Sequence, residues 1–183
     1  MLLPVNKSAF SSFVIVAATL ALSGCMFFQS APKPPPPAPT PPPPAPLEIV
    51  TQLRQAAAAE LTTMDVQPLT NPAVQFLRDR ADRLEAQGDY AGAAKLLAEA
   101  VQVAPDDPEI LQHLAEEMIL LRRFVEAEKH ARASFEMGSK LGPLCSANWR
   151  TIAAARKTAG DLLGHNSALD RASQCAVQPL PRF

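Results

Sequence analysis

The sequence predicts an all-α fold, a solenoid of about three helical hairpins, and three observations predict it. Apolar and small residues recur with a period of about 34 from Val74 onward, the length of a helix-turn-helix unit that must stack on copies of itself to bury its apolar face. Alanine is abundant, aromatic residues make up only 5%, and the C-terminal two thirds carry no run of alternating β-branched residues, which favours close-packed helices over sheet. Prolines and glycines stand where such helices should start, turn and stop.

The first 24 residues are of another kind. Lys7 is their lone charge, and the apolar stretch from Phe13 to Leu22 is too short to span a bilayer comfortably as a lasting helix. It runs into Leu22, Ser23, Gly24 and Cys25. This block resembles the type II signal peptides of bacterial lipoproteins. The resemblance implies a signal peptide over residues 1–24, cleavage before Cys25, a diacylglyceryl group on the Cys25 thiol and an acyl chain such as palmitate on the new amino group. Several chains at ~0.8 kcal/mol per buried methylene hold far more firmly than one myristoyl group. Met26 follows, where an aspartate often retains Gram-negative lipoproteins in the inner membrane, so the resemblance leans toward the outer membrane, facing the periplasm. The alternative is a signal anchor with an incidental cysteine.

From Pro32 to Pro46, eleven of fifteen residues are proline, a composition that excludes helix and sheet and favours polyproline II. At about 3.1 Å per residue it spans roughly 45 Å semi-rigidly, so residues 25–46 read as a lipidated cysteine followed by a stalk. A docking site for a proline-recognising domain is the other reading. Leu47 to Met64 comes next, with Val50, Leu53, Ala57, Leu61 and Met64 at spacings of three and four, and Glu48, Arg54 and Glu60 largely off that stripe. Residues 47–68 are therefore expected to hold an amphipathic helix that packs on something. Pro68 and Pro72 break the pattern, Asn71 can cap and Pro72 can fill the first helical position, so the main domain is expected over 72–176 with a tail at 177–183.

Within that domain the copies are expected at 74–107, 108–141 and 146–176. In the first, Leu77, Ala81, Leu84, Gly88, Asp89, Tyr90, Ala93, Leu97, Ala100 and Pro105 fall at positions 4, 8, 11, 15, 16, 17, 20, 24, 27 and 32. In the second, Leu111, Leu114, Ala115, Met118, Phe124, Ala127 and Ala131 fall at positions 4, 7, 8, 11, 17, 20 and 24. In the third, Trp149, Ile152, Ala153, Gly160, Asp161, Leu162, Leu169 and Ala172 fall at positions 4, 7, 8, 15, 16, 17, 24 and 27. Small residues let helices approach, glycine tolerates the turn and proline stops the second helix. Departures are Arg80 at position 7, whose guanidinium must reach solvent or a carboxylate such as Asp79 or Glu85; Arg122 and Arg123 in place of glycine and aspartate; Ser134 and Ser139 at positions 27 and 32; and His165 at position 20, which should splay the third hairpin.

This pattern resembles the tetratricopeptide repeat. The resemblance implies a concave wall made by the first helix of each hairpin, lined by positions 2, 5, 9, 12 and 13. Carried over, that wall is Gln75, Arg78, Asp82 and Glu85, then Glu109, Gln112, Glu116, Ile119 and Leu120, then Arg150, Ala154 and Lys157, with an apolar centre at Ile119 and Leu120. The lysine and asparagine clamp of chaperone-binding members is absent, since Arg78 and Asp82 hold positions 5 and 9 of the first copy. The start of one helix in a hairpin lies beside the end of the next, which brings Cys145 near Cys175. In an oxidising compartment a disulfide is the default for this even pair, and closing such a loop is worth roughly 3 to 4 kcal/mol on the chain-entropy model. Two free structural thiols are the alternative.

A net charge of -1 gives no nucleic-acid footprint. His113, His130 and His165 form no HExxH-type pair and read as ordinary helix residues; no phosphate loop or GxSxG elbow occurs; and adjacent Glu116 and Glu117 read as solvated acidic surface. No enzyme, cofactor or metal is expected. The function expected from the resemblance is a membrane-anchored periplasmic adaptor or assembly factor for an envelope complex, whether pilus, secretion or cell-wall machinery, whose partner is another protein or peptide. A self-associating structural lipoprotein, a homo-oligomer built through the uncovered third repeat or a swapped N-terminal helix, is the alternative.

Overall fold

The computed structural model describes residues 44–59 and 71–176. The signal-like segment with Cys25, the proline tract up to residue 43, residues 60–70 with Leu61 and Met64, and the tail from residue 177 lie outside the described residues. Among the described residues there are seven α-helices and no strand: α1 Pro46–Ala59, α2 Pro72–Ala86, α3 Tyr90–Val103, α4 Pro108–Leu120, α5 Phe124–Met137, α6 Pro143–Thr158 and α7 Leu162–Gln174. Helices α2 and α3, α4 and α5, and α6 and α7 pair as three successive hairpins, and α3 packs on α4 as α5 packs on α6. The solenoid expected from the repeat period is what the helices build.

The helix starts follow from local chemistry. Helices α2, α4 and α6 open on Pro72, Pro108 and Pro143, where a missing N–H costs nothing. Asn71 accepts the Ala73 N–H at 2.9 Å, and Asp107 accepts from Glu109 at 2.9 Å and Ile110 at 3.4 Å. Asp89 and Asp161 cap α3 and α7 through the N–H groups of Gly92 and Gly164, at 2.9 and 2.8 Å. At α5 the capping position falls to Arg123, which makes no side-chain cap bond and pairs with Glu126 instead.

Each hairpin turns on a left-handed residue at repeat position 15. Gly88 and Gly160 adopt φ of 81° and 82°, and Arg122 is forced to 59°. The turn survives the substitution, but an L side chain pays steric strain there.

Ala81, Ala93, Ala100, Ala127, Ala131, Ala168 and Ala172 are all buried, so the helices close on one another through small residues. The last repeat departs from the pattern. Leu169 is 38% exposed, whereas Leu97 and Ala131 at the same repeat position are 0% exposed. Leu162 and Leu163 on the same helix are 61% and 85% exposed. The two helices of the third hairpin stay packed together despite His165, which is half-buried with its Nδ1 2.9 Å from the Ala153 carbonyl oxygen. Arg80 is exposed and lies over the Phe76 ring, 5.6 Å from its centroid, while Glu85 is engaged by Arg54.

Cys145 in the first turn of α6 and Cys175 at the C-cap of α7 form a disulfide with Cα atoms 5.7 Å apart. Beside it the Gly142 N–H donates to the Cys175 carbonyl at 2.7 Å, so covalent and hydrogen bonds together close the base of the hairpin. Trp149 fills the space above, edge-on to Phe135 at 4.9 Å between centroids, with Arg171 over its other side at 4.7 Å.

Candidate functional site

Helix α1 lies on the concave side of the solenoid, packed on α6 and α4, the first helices of the third and second hairpins. It buries two aliphatic side chains three residues apart, Val50 and Leu53, with Val50 in the same core cluster as Ile119, Leu120 and Ala155. The residue after Leu53 is its polar anchor. Arg54 Nε donates to Glu116 Oε2 at 2.7 Å, while Nη1 and Nη2 donate to Glu85 Oε1 and Oε2 at 2.6 and 2.9 Å. Burial opposes the Arg54 charge, but the hydrogen bonds and charges of the two carboxylates outweigh it and hold the guanidinium firmly protonated. Arg54, which the apolar stripe of α1 excludes, is thus one of its principal contacts.

Beside α1 runs an open cleft of about 700 Å³. Arg78, Asp82, Glu109, Gln112 and Glu116, five of the expected groove residues, line it together with Arg54 and Ala57 of α1 and Leu144 and Ala147 of α6. Arg78 pairs with Glu109 at 3.2 Å. Gln112 is buried and donates from Nε2 to Glu116 Oε1 at 3.0 Å and Thr151 Oγ1 at 2.9 Å. Other residues of the expected wall lie elsewhere. Ile119 and Leu120 are 0% and 6% exposed, so the expected open apolar centre is sealed core, closed where α1 sits down. Gln75 is exposed and donates to Asp79 at 2.7 Å, Arg150 is half-buried and donates to Ser146 Oγ at 3.0 Å, Ala154 is half-buried, and Lys157 is exposed.

At the rim of the cleft, α2 and α4 bring four titratable side chains together. His113 Nε2 is 3.6 Å from both Asp82 Oδ1 and Glu85 Oε2 and 4.0 Å from Glu117 Oε1. Glu116 and Glu117, expected as solvated surface, are buried, because the first helix of the middle hairpin is covered on nearly every side. Glu117 is fully buried, and neither of its carboxyl oxygens has a hydrogen-bond partner. That burial, with the neighbouring Glu85 carboxylate, pushes the Glu117 carboxyl up to about 9. Glu85 goes the other way, held well below the usual carboxylate range by His113 and then Arg54, against its own desolvation. The spacing of these residues was visible: Asp82 and Glu85 are three apart, His113 and Glu117 four apart, so each pair shares a helix face. Which two faces meet depends on how α2 packs against α4, which neither helix encodes alone.

Residues 74–117 match the tetratricopeptide repeat family model. Comparison with curated proteins gives no match. Among solved structures, the chain is similar to the globular C-terminal domain of LpoP from P. aeruginosa, with 28% identity and a TM-score of 0.55, covering 57% of this chain and 99% of that one. It is also similar in fold to the second tetratricopeptide-repeat domain of Spaghetti (RPAP3), solved with the HSP90 peptide SRMEEVD, with 13% identity and a TM-score of 0.52, covering 66% of this chain and 98% of that one. Three hairpins, a left-handed residue at every inner turn and alanines at the helix contacts agree with these likenesses. The helices from Pro72 to Gln174 form a solenoid of helical hairpins like that of tetratricopeptide-repeat proteins, and residues 74–117 of it match that family's model.

Proposed function

We propose that this chain is a lipid-anchored adaptor of the bacterial envelope, tethered through Cys25, whose repeat domain holds a partner protein in the periplasm as part of an envelope assembly such as pilus, secretion or cell-wall machinery. Tetratricopeptide-repeat domains are protein-interaction scaffolds, and residues 74–117 match that family's model. The observation that carries the reading is the seat of α1: the concave wall accepts a helix, taking two aliphatic side chains three apart and clamping the following arginine between Glu85 and Glu116. A partner segment of that chemistry, aliphatic at i and i+3 with a guanidinium at i+4, matches the same wall. The anchor rests on the Leu22, Ser23, Gly24 and Cys25 block.

The test is photocrosslinking in living cells. Ile119 is sealed, so the probe belongs at Asp82, whose side chain is 61% exposed on the cleft, with Val125, 85% exposed on α5, as the outward control. One envelope protein captured from Asp82 and not from Val125 is the expected result. Identical capture from both positions overturns the groove reading. Metabolic labelling with an alkyne fatty acid, lost in Cys25→Ser, checks the anchor; label retained in that variant removes it.

Self-association is the second reading, favoured by three leucines exposed on α7, Leu162, Leu163 and Leu169. Sedimentation of the full chain in detergent separates the two. A monomer at every concentration excludes the oligomer.

A further inference from the structure

Three potential ligands meet between the first two hairpins, and a fourth carboxyl lies against one of them. The donor atoms of Asp82, Glu85 and His113 all lie within 4.8 Å of one another. The fourth, Glu117, enters from beneath, its Oε1 4.0 Å from the same His113 Nε2 that faces the other two at 3.6 Å. Its two buried oxygens have no hydrogen-bond partner, and an orphaned buried carboxyl facing a histidine that itself faces two carboxylates calls for an explanation. A cation supplies one. Ligands at about 2.0 to 2.1 Å from a tetrahedral zinc-type ion stand roughly 3.4 Å apart, so separations of this size need only small side-chain adjustments.

The surroundings agree. Glu85 also accepts from Arg54, leaving that guanidinium as the outer hydrogen-bond partner that ligating carboxylates commonly have. Arg54 is shared between Glu85 and Glu116, so together with Asp82 the cluster carries more negative charge than that guanidinium neutralises. Asp82 and His113 border the cleft, which gives an ion a path in. Imidazole with carboxylates selects a transition metal over calcium or magnesium.

We propose that Asp82, Glu85, His113 and Glu117 form a divalent transition-metal site of the zinc class, joining α2 to α4 at the rim of the cleft. The reading is independent of the adaptor function.

The experiment uses the full chain in detergent, untagged and stripped with chelator, titrated with cobalt chloride and then zinc chloride. The expected result is one Co²⁺ per chain with visible absorption, displaced by Zn²⁺, and a shift of the His113 imidazole nitrogen resonances. His113→Ala, Glu117→Gln and Asp82→Asn should each weaken binding by at least roughly 10- to 100-fold, the loss that even an outer partner causes. His130→Ala, on α5, should leave it unchanged. Asp82 is largely exposed, so its variant reads the site without threatening the core. Absence of saturable binding at micromolar metal overturns the site, as does binding that survives in all three ligand variants or is lost equally in His130→Ala.

Discussion

Arg54 and Glu116 stand 62 residues apart in the chain, yet the Nε of one donates to the Oε2 of the other at 2.7 Å, while the rest of the guanidinium grips Glu85. A fourteen-residue helix outside the hairpins is marginal in water by itself, so α1 depends on this clamp and on Val50 and Leu53 for its place. Arg54→Ala should release it while the hairpins stay folded. Amide exchange over residues 46–59 should accelerate sharply with little change in α2 to α7, and the coupling between Arg54→Ala and Glu116→Gln should be on the order of 1 kcal/mol. Uniform acceleration across every helix would show instead that α1 is integral to the core.

Glu128 on α5 joins the second hairpin to the third. Its carboxylate accepts from Arg156 on α6 at 3.0 Å and from Arg132 at 2.7 Å, and these bonds overcome a larger opposing desolvation to draw its pKa below the usual carboxylate value. A folded pKa below the unfolded one stabilises the fold above the unfolded pKa, and that gain is lost as pH falls through the folded value. Glu128→Gln should therefore cost roughly 1 kcal/mol at neutral pH, and the difference in Tm from the parent should close as the pH falls below the ordinary carboxylate range. A difference that stays constant with pH would assign the loss to packing.

Arg122 carries the left-handed conformation that Gly88 and Gly160 carry in the other hairpins. Relief of that strain should outweigh the extra freedom glycine gains on unfolding, so Arg122→Gly should stabilise the chain by about 0.5 to 1 kcal/mol. Urea denaturation with an unchanged slope is the measurement. An unchanged midpoint would show that the arginine side chain makes up the difference.

The disulfide closes a loop of sequence separation 30 around the third hairpin. Reduction, or the pair Cys145→Ser and Cys175→Ser, should lower stability by about 3 to 4 kcal/mol on the chain-entropy model. Protection from exchange should fall first in α6 and α7, the two helices that the bond joins. Equal loss in all three hairpins would mean that the solenoid melts as a single unit.

Periodicity made the hairpins legible because a residue's position in the repeat dictates its burial wherever both neighbours exist. Leu97 and Ala131 obey that rule. Leu169 does not, since its burial depends on a following helix that no residue of its own hairpin can supply. The wall was half legible for the same reason. Arg78, Asp82, Glu109, Gln112 and Glu116 face the cleft as their positions imply, but Ile119 and Leu120 are sealed because α1 sits on the wall. Its stripe announced that α1 would pack somewhere, and the destination was hidden because an arginine largely off that stripe finds its partners 31 and 62 residues downstream. Likewise Glu117 looked like surface beside Glu116, and only the covering of α4 on nearly every side makes it an interior acid.

The proline tract runs directly into the first turn of α1, so tension arriving from the N-terminal side is carried by that helix before any hairpin feels it. Val50, Leu53 and the Arg54 clamp are therefore the first contacts that a pull on the stalk would load, ahead of the disulfide-stapled hairpin at the other end of the domain.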